Sequence, residues 1–507
     1  AGPVWRSVLS PPLSHGIGMF EMTSYTDLMQ TNLQSALLAL SLDRDSPQPL
    51  HAQLTEALRA LILTGRAHPG TRLPASRQLA QDLSVSRQTT LTALDQLIAE
   101  GYLETRIGAG TFVARDLPHL SPPAAPRATG PAPRGSTPVV PFHPGLPDMA
   151  LFPHAAWARH LDRAWRQPDP ALLALPDPLG WPPLRAAIAA HLSAWRGIAC
   201  GSGQVVITSG AGVTFDLLAR AAFHPGETVM TEEPGYAPMR AALGRAGLIT
   251  RPVPVDADGA LLPADSAARG AVVTPSRHYP LGVTMPLPRR LALLDWARRR
   301  EAWVIEDDYD SEFRYSGAPL PALASLEARR TIYVGSFSKL LSPTLRLGYV
   351  VVPPALLDPI RAALAGTGPR ASLVPQPALA RFMESGEFAA HLRRMRRIYG
   401  QRQAVLRAAL ERHLPGRLIA SPDPSGMHLV CGIGPDLSPL ADTDIAARAA
   451  AAGVTVRPLS AYWQGGCGPQ GLILGYAGFD AEALEAAVLR LARALPAGQP
   501  GSAPVRT

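Results

Sequence analysis

Lysine is nearly missing from this chain. Of the 48 basic residues among 507, one is lysine, Lys339, and the others are arginine. Arginine serves for surface charge, ion pairs and phosphate contacts. It cannot form an imine, because its guanidinium stays protonated and delocalised. A drift away from lysine therefore leaves imine chemistry to one position. Cysteine is scarce as well. Cys200, Cys431 and Cys467 make an odd set without metal-like spacing, which excludes a disulfide framework and a zinc site. No hydrophobic run reaches the roughly 20 residues of a membrane span, and the first residues show no secretory pattern. These absences predict a cytoplasmic protein with no membrane partner and no metal.

What is present points to an acidic polymer. The formal net charge is +8 and the pI about 9.7, which suits a nucleic acid without proving one. The arginine runs Arg298–Arg300 and Arg393–Arg397 lie in helical patterns and read as solvated helix faces. Length allows a small domain plus a large one.

The neighbours of Lys339 give it a task. Ser336 and Ser338 flank it, and Arg346 follows in Pro343-Thr344-Leu345-Arg346-Leu347-Gly348-Tyr349. Hydroxyls and a guanidinium around one amine suit a phosphate dianion. Upstream, Val304 and Ile305 end a buried strand that runs into Glu306-Asp307-Asp308-Tyr309-Asp310. A carboxylate there can pair with a pyridinium nitrogen, and a tyrosine can bond a phenolate oxygen. An aldehyde-reactive amine, a phosphate grip and a pyridinium partner together describe pyridoxal 5′-phosphate (PLP).

The front of the chain carries a separate signal. An amphipathic segment runs from Pro49 through Leu54, Leu58, Leu61 and Ile62 to Gly65. A second short helix follows Pro74-Ala75-Ser76-Arg77. A turn at Leu83–Ser86 then leads into a helix from Arg87 to Glu100. Gly108-Ala109-Gly110-Thr111-Phe112-Val113 reads as a glycine-rich hairpin. Two short helices, a tight turn and a wing predict a winged helix-turn-helix. Residues 45–115 hold seven arginines against six acids, so contacts to phosphate must be local.

These runs carry two resemblances. Residues 46–115 resemble the GntR family of bacterial regulators. Residues 141–497 resemble a fold-type I aminotransferase domain, through Glu233-Pro234-Gly235-Tyr236, Thr274-Pro275-Ser276, Pro280-Leu281-Gly282, Glu306–Phe313 and Ser336–Tyr349. The order of modules resembles the MocR subfamily of GntR regulators. The resemblance implies that Lys339 carries the cofactor as an imine and that Asp307 pairs with the pyridine nitrogen. It implies that Tyr309 bonds the ring oxygen, that Tyr236 stacks on the ring, and that Ser336, Ser338 and Arg346 hold the phosphate. Ala211, Gly212 and His278 complete the expected cofactor set. On DNA it implies Arg77, Ser86, Arg87, Thr89 and Thr90 on the reading surface, with Arg106, Gly110 and Thr111 on the wing. The expected partners are a double-stranded DNA operator, PLP, and a second copy in a head-to-tail homodimer.

The expected architecture is α/β, with the winged module joined by a proline-rich linker (residues 116–140) to a mainly parallel sheet covered on both faces. Residues 1–45 read as an extension that matches nothing and suits a disordered arm, and 498–507 as a tail. Three departures bear on function. Ala211 and Gly212 stand where the family often has Ser or Thr and then Gln. Arg277 and His278 stand where relatives show His-Gln. Ile473 stands where aminotransferases place the arginine that grips a substrate carboxylate, with Arg457 the candidate to compensate. The last departure implies reduced or no transaminase activity. It points to the PdxR-like branch, regulators of vitamin B6 supply that sense PLP itself. The alternatives are a regulator sensing an amino acid or amine, and an active aminotransferase with an accessory DNA-binding module.

Overall fold

The structure is a computed structural model that describes residues 36–37, 40–106, 108–117, 140–174, 177–317, 320–367, 371–466 and 468–496. Most of the expected arm, most of the linker, the whole tail and Cys467 lie outside these residues. Two compact units divide at Gly135 and Ser136, inside the proline-rich stretch.

The first unit packs helix α1 (Leu50–Leu63), α2 (Ser76–Asp82) and α3 (Arg87–Ala99) against a hairpin of β1 (Leu103–Arg106) and β2 (Gly110–Val113). In α1, Leu54, Leu58, Leu61 and Ile62 are buried. Their spacing keeps them on one helical face, which meets Leu79, Leu94, Leu97 and Val113 in one core. Ser86 caps α3, its Oγ accepting the Thr89 N–H at 3.0 Å. The hairpin is antiparallel, with Leu103 opposite Val113 and Arg106 opposite Gly110. Ala36 and Leu37 are 1% and 3% exposed in this same core. Arg44 donates to the Ser84 carbonyl at 2.6 Å. The described end of the extension therefore belongs to the module, which corrects the expectation of a disordered arm up to residue 45.

In the second unit, α4 (Pro182–Arg196) precedes β3 (Val205–Thr208) and α5 (Ala211–Ala222). Then follow β4 (Thr228–Glu233), β5 (Ile249–Asp256), β6 (Gly259–Ala260), β7 (Gly270–Val273), β8 (Trp303–Asp308), β9 (Thr331–Ser336), α6 (Phe337–Leu340) and β10 (Gly348–Val351). These eight strands form one sheet in the order β3-β10-β9-β8-β7-β4-β5-β6. Pairs from β9 through β5 are parallel, whereas β10 runs antiparallel to both β3 and β9. β3, β7 and β10 are buried along their whole length, as expected of strands covered on both faces.

After the long helix α7 (Glu387–His413), a second antiparallel sheet is built from β11 (Leu418–Ala420), β12 (His428–Ile433), β13 (Arg457–Pro458) and β14 (Leu472–Gly475). Phe142 bridges to Gly475 at its end. The loops after β3, β8 and β9 open at one end of the large sheet, where parallel strands place their ligand sites.

Candidate cofactor pocket and nucleic-acid surface

The loops after β3, β8 and β9 surround a cavity of about 270 Å³. Its lining includes Lys339, Asp307, Tyr309, Tyr236, Arg346, Ser336 and Ser338, together with Ala211 and Gly212. Residues far apart in the chain thus converge, as the spacing of the motifs requires.

Strand alternation sorts the acidic run. Successive side chains in β8 point to opposite faces. Glu306 and Asp308 face away from the cavity toward Arg196, at 4.0 and 3.0 Å, and Tyr333 donates to Asp308 at 2.7 Å. Asp307 alone of the three lines the cavity. Burial and the neighbouring Asp308 push its carboxyl up to about 7, while Lys339 draws it down. A buried carboxylate seeking a cationic partner is suited to a pyridinium.

Lys339 sits in the single turn α6. Ser336 caps this turn by accepting the Ser338 N–H at 3.2 Å. The Lys339 ammonium donates to the Gly145 carbonyl at 2.7 Å. Gly145 has φ +74°, and a Cβ there would lie 2.7 Å from Nζ, so glycine is what lets the backbone reach the amine. Burial lowers the Lys339 proton affinity, against the pull of Asp310 and Asp307. A desolvated amine is the form that attacks an aldehyde.

The phosphate end of the cavity is made by backbone and arginine. Gly210 precedes α5 at φ 106°, and a Cβ there would meet the Arg346 guanidinium at 3.6 Å. Arg346 itself holds φ 49° at the end of a short 3-10 turn, a conformation that costs a non-glycine residue on the order of 1 kcal/mol. It forms no ion pair among the described residues. Free N–H groups at the start of α5 offset the side-chain donors that Ala211 and Gly212 lack. Thr214, one turn on, is spent on Thr208 at 2.7 Å.

His278 is the member that the structure moves away. It is 1% exposed, lies 3.6 Å from Glu232, and is absent from the cavity lining. Burial drives its ring down to about 3, so it stays neutral. Tyr279 takes its place on the cavity, packed edge-on to Tyr236 at 5.9 Å and Tyr309 at 5.6 Å. Tyr279, Asp310, Met427 and His428 also line the cavity and were not singled out from the sequence. Tyr279 is the chain neighbour of His278. His428 and Met427 carry no local signal, because they arrive from the second sheet. Ile473 is fully buried in a small apolar cluster with Val430 and Leu459, and Arg457 stands opposite it in the strand register.

An amine, an ion-pairing carboxylate, a phenol, an aromatic platform and an anion cradle fit PLP. Bound there, PLP supplies an aldehyde for exchange between amines and an electron-withdrawing ring.

In the winged module, Arg77, Ser86 and Arg87 are exposed and Thr89 is half-buried. Thr90 is the exception. It is fully buried and its hydroxyl turns back to the Ser86 carbonyl at 3.4 Å, because Thr90, Leu94 and Leu97 share the core-facing stripe of α3. It is unavailable to DNA. On the wing, Arg106 donates to Glu104 at 2.6 Å and stacks on Phe112 at 4.4 Å. Gly110, at φ 111°, passes against Arg72, and Thr111 is half-buried beside it. Exposed Arg72 and Gln88 join this surface without having been chosen from the sequence.

Residues 50–113 match the family described as bacterial regulatory proteins, gntR family, and residues 148–491 match aminotransferase class I and II. The chain is 42% identical over 459 residues to the "Probable rhizopine catabolism regulatory protein MocR" of Rhizobium meliloti, covering 87% of this chain and 92% of that one. It is 34% identical to the "HTH-type pyridoxine biosynthesis transcriptional regulator PdxR" of Corynebacterium glutamicum, over 91% of this chain and 99% of that one. Among solved structures, the α-aminoadipate aminotransferase LysN of Thermus thermophilus, complexed with N-(5′-phosphopyridoxyl)-L-leucine, superimposes with a TM-score of 0.64. That match has 29% identity and covers 70% of this chain and 92% of that one. No helix among the described residues is long and apolar enough to cross a membrane. The two modules and their order make one assignment: the chain belongs to the MocR subfamily of GntR-family transcription regulators, DNA-binding proteins whose large domain is of the PLP-binding aminotransferase class.

Proposed function

We propose that PLP, held through Lys339, is the signal this regulator reads, and that its occupancy changes operator binding by a dimer. The carrying observation is Ile473. It is fully buried among Val430, Leu459 and Leu281, where an aminotransferase would present a charge to the substrate carboxylate. An apolar side chain cannot make that charge-assisted grip. Without it an amino acid is poorly oriented over the reacting bond, and misorientation is costly for rate. The pocket suits retention of the cofactor better than turnover of amino acids.

The reading draws support from the likeness to PdxR, whose name ties it to pyridoxine biosynthesis. A second reading has its own observation. The MocR relative is more similar, at 42% against 34% identity, and its name ties it to rhizopine catabolism. A ligand amine without a carboxylate has no need of the missing arginine.

The test is a gel-shift titration of apo and PLP-loaded protein on its operator, beside visible spectra with a panel of amino acids and amines. Operator affinity that follows PLP, with spectra indifferent to the panel, supports PLP sensing. Affinity that ignores PLP but follows one amine supports the second reading. Rapid conversion to the pyridoxamine form by an amino acid overturns both in favour of an enzyme.

A further inference from the structure

Arg277 departs from the family pattern, and the fold has built a slot for it. The side chain is 2% exposed. Gly426, at φ +93°, runs so close that any Cβ there would overlap the guanidinium, and a Cβ on Gly282 would come within 3.5 Å of it. Nε and Nη2 donate to Asp423 at 3.1 and 2.6 Å, and Nη2 also donates to the His428 carbonyl at 2.8 Å. The remaining arm, Nη1, donates to the Tyr309 hydroxyl at 2.9 Å and lies 3.3 Å from Asp310.

A guanidinium only donates, so the Tyr309 oxygen is the acceptor and its own hydrogen is left for another partner. Among the described residues that hydroxyl has no second hydrogen bond. Tyr309 lines the cavity that Lys339 and Asp307 share. We propose that Arg277 is a positioning residue: it turns the Tyr309 hydroxyl into a fixed donor toward the cofactor's ring oxygen and thereby sets the proton affinity of the Lys339-bound cofactor. The proposal rests on PLP being bound at Lys339.

The sign follows from charge. A donor made more acidic by a cation holds negative charge on the ring oxygen more firmly, and a nearby cation also disfavours a protonated imine nitrogen. Both lower the cofactor's proton affinity. Facing Arg277 and Tyr309 are the carboxylates of Asp423 and Asp310, the ring of His428 and the phenol of Tyr279. Lys339 and Asp307 line the same cavity as Tyr309. Tyr315 and Tyr476 lie beyond, bonded to each other at 3.1 Å. Burial pushes Asp310 up to about 7 and keeps His428 neutral. Asp423 is therefore the principal counter-charge, and it can be neutralised without changing its shape.

The experiment is a pH titration of visible absorbance on full-length protein loaded with PLP. In Arg277→Gln the midpoint rises by about one pH unit, a tenfold change in proton affinity. In Asp423→Asn, where the guanidinium is less compensated, it falls. Tyr309→Phe raises it, and adding Arg277→Gln on top moves it less than half as far as in the parent. A structural role alone would lower thermal stability and leave the midpoint in place. An unmoved midpoint in Arg277→Gln, or Arg277→Gln and Asp423→Asn moving the same way, overturns the proposal. If Arg277→Gln does not fold, Asp423→Asn decides alone: a lower midpoint supports it, an equal or higher one overturns it. Wild-type protein that shows no visible band fails earlier, at the cofactor reading itself.

Discussion

Arg87 is the side chain on which DNA reading is most sharply tested. It is the first residue of α3, exposed, and in no ion pair among the described residues. The cap that starts the helix belongs to Ser86 and the Thr89 N–H, so Arg87→Ala leaves the helix start intact. Stability is expected to change by less than about 0.5 kcal/mol, as for other exposed sites. A bidentate contact to a guanine edge is worth about 1–3 kcal/mol, which is roughly 5- to 150-fold in affinity per half-site. A dimer on paired half-sites loses about twice that free energy. Fluorescence anisotropy on the operator and on a scrambled duplex, at several salt concentrations, separates the kinds of contact. Base reading lowers operator affinity and leaves the scrambled duplex nearly alone. A phosphate contact weakens both and reduces the salt slope by about one. Unchanged affinity for both duplexes in a folded variant would refute the placement of Arg87 on the reading surface.

Other outcomes are set by burial. Ser86→Ala removes the cap and should cost about 1 kcal/mol of module stability, read as a lower melting temperature. Borohydride reduction should fix the pyridoxyl group on Lys339, and Lys339→Arg should lose it as completely as Lys339→Ala, because charge survives but imine chemistry does not; a label elsewhere counts against the assignment. Ile473→Ala should lower stability by about 2–4 kcal/mol through the cavity it leaves, with amino acids still failing to alter the visible spectrum. His278 binds its proton near 6.5 when unfolded but only at about 3 when folded. Its contribution is whole above about pH 6.5 and is lost as pH falls toward 3, at up to about 1.4 kcal/mol per pH unit. In His278→Gln the melting temperature should fall less steeply across that window; an identical slope in the two proteins rejects a buried neutral imidazole.

Much of this was legible in the sequence because it is local. Lys339, its serines and Arg346 lie within one strand-turn-strand, and Asp307 follows a strand whose apolar run is plain. The two modules could be read from helix periods and turn residues. What escaped is non-local or a matter of phase. Arg277 means little until Asp423 and Gly426, some 146 positions away in the case of Asp423, close around it. His428 reaches the cavity from a different sheet. Tyr279 and His278 exchanged roles because they lie in the bend and turn after β7, where no strand or helix period tells which side chain faces the cavity. Thr90 was within reach of periodicity, since it precedes Leu94 by one helical turn, but its polarity suggested the outer face. Ala36 and Leu37 carry too short a pattern to mark as core.

The solitary lysine has a practical consequence. Apart from an α-amine, the sequence offers acylating reagents one primary amine, and that amine lines the pocket, hydrogen-bonded to the Gly145 carbonyl. A bound aldehyde masks it. The fraction of molecules that resist acylation at this position therefore counts filled pockets, on native protein, on DNA or in a crude extract, without a chromophore or an assay for turnover. The composition of the chain thus supplies an occupancy gauge for this pocket that needs no turnover.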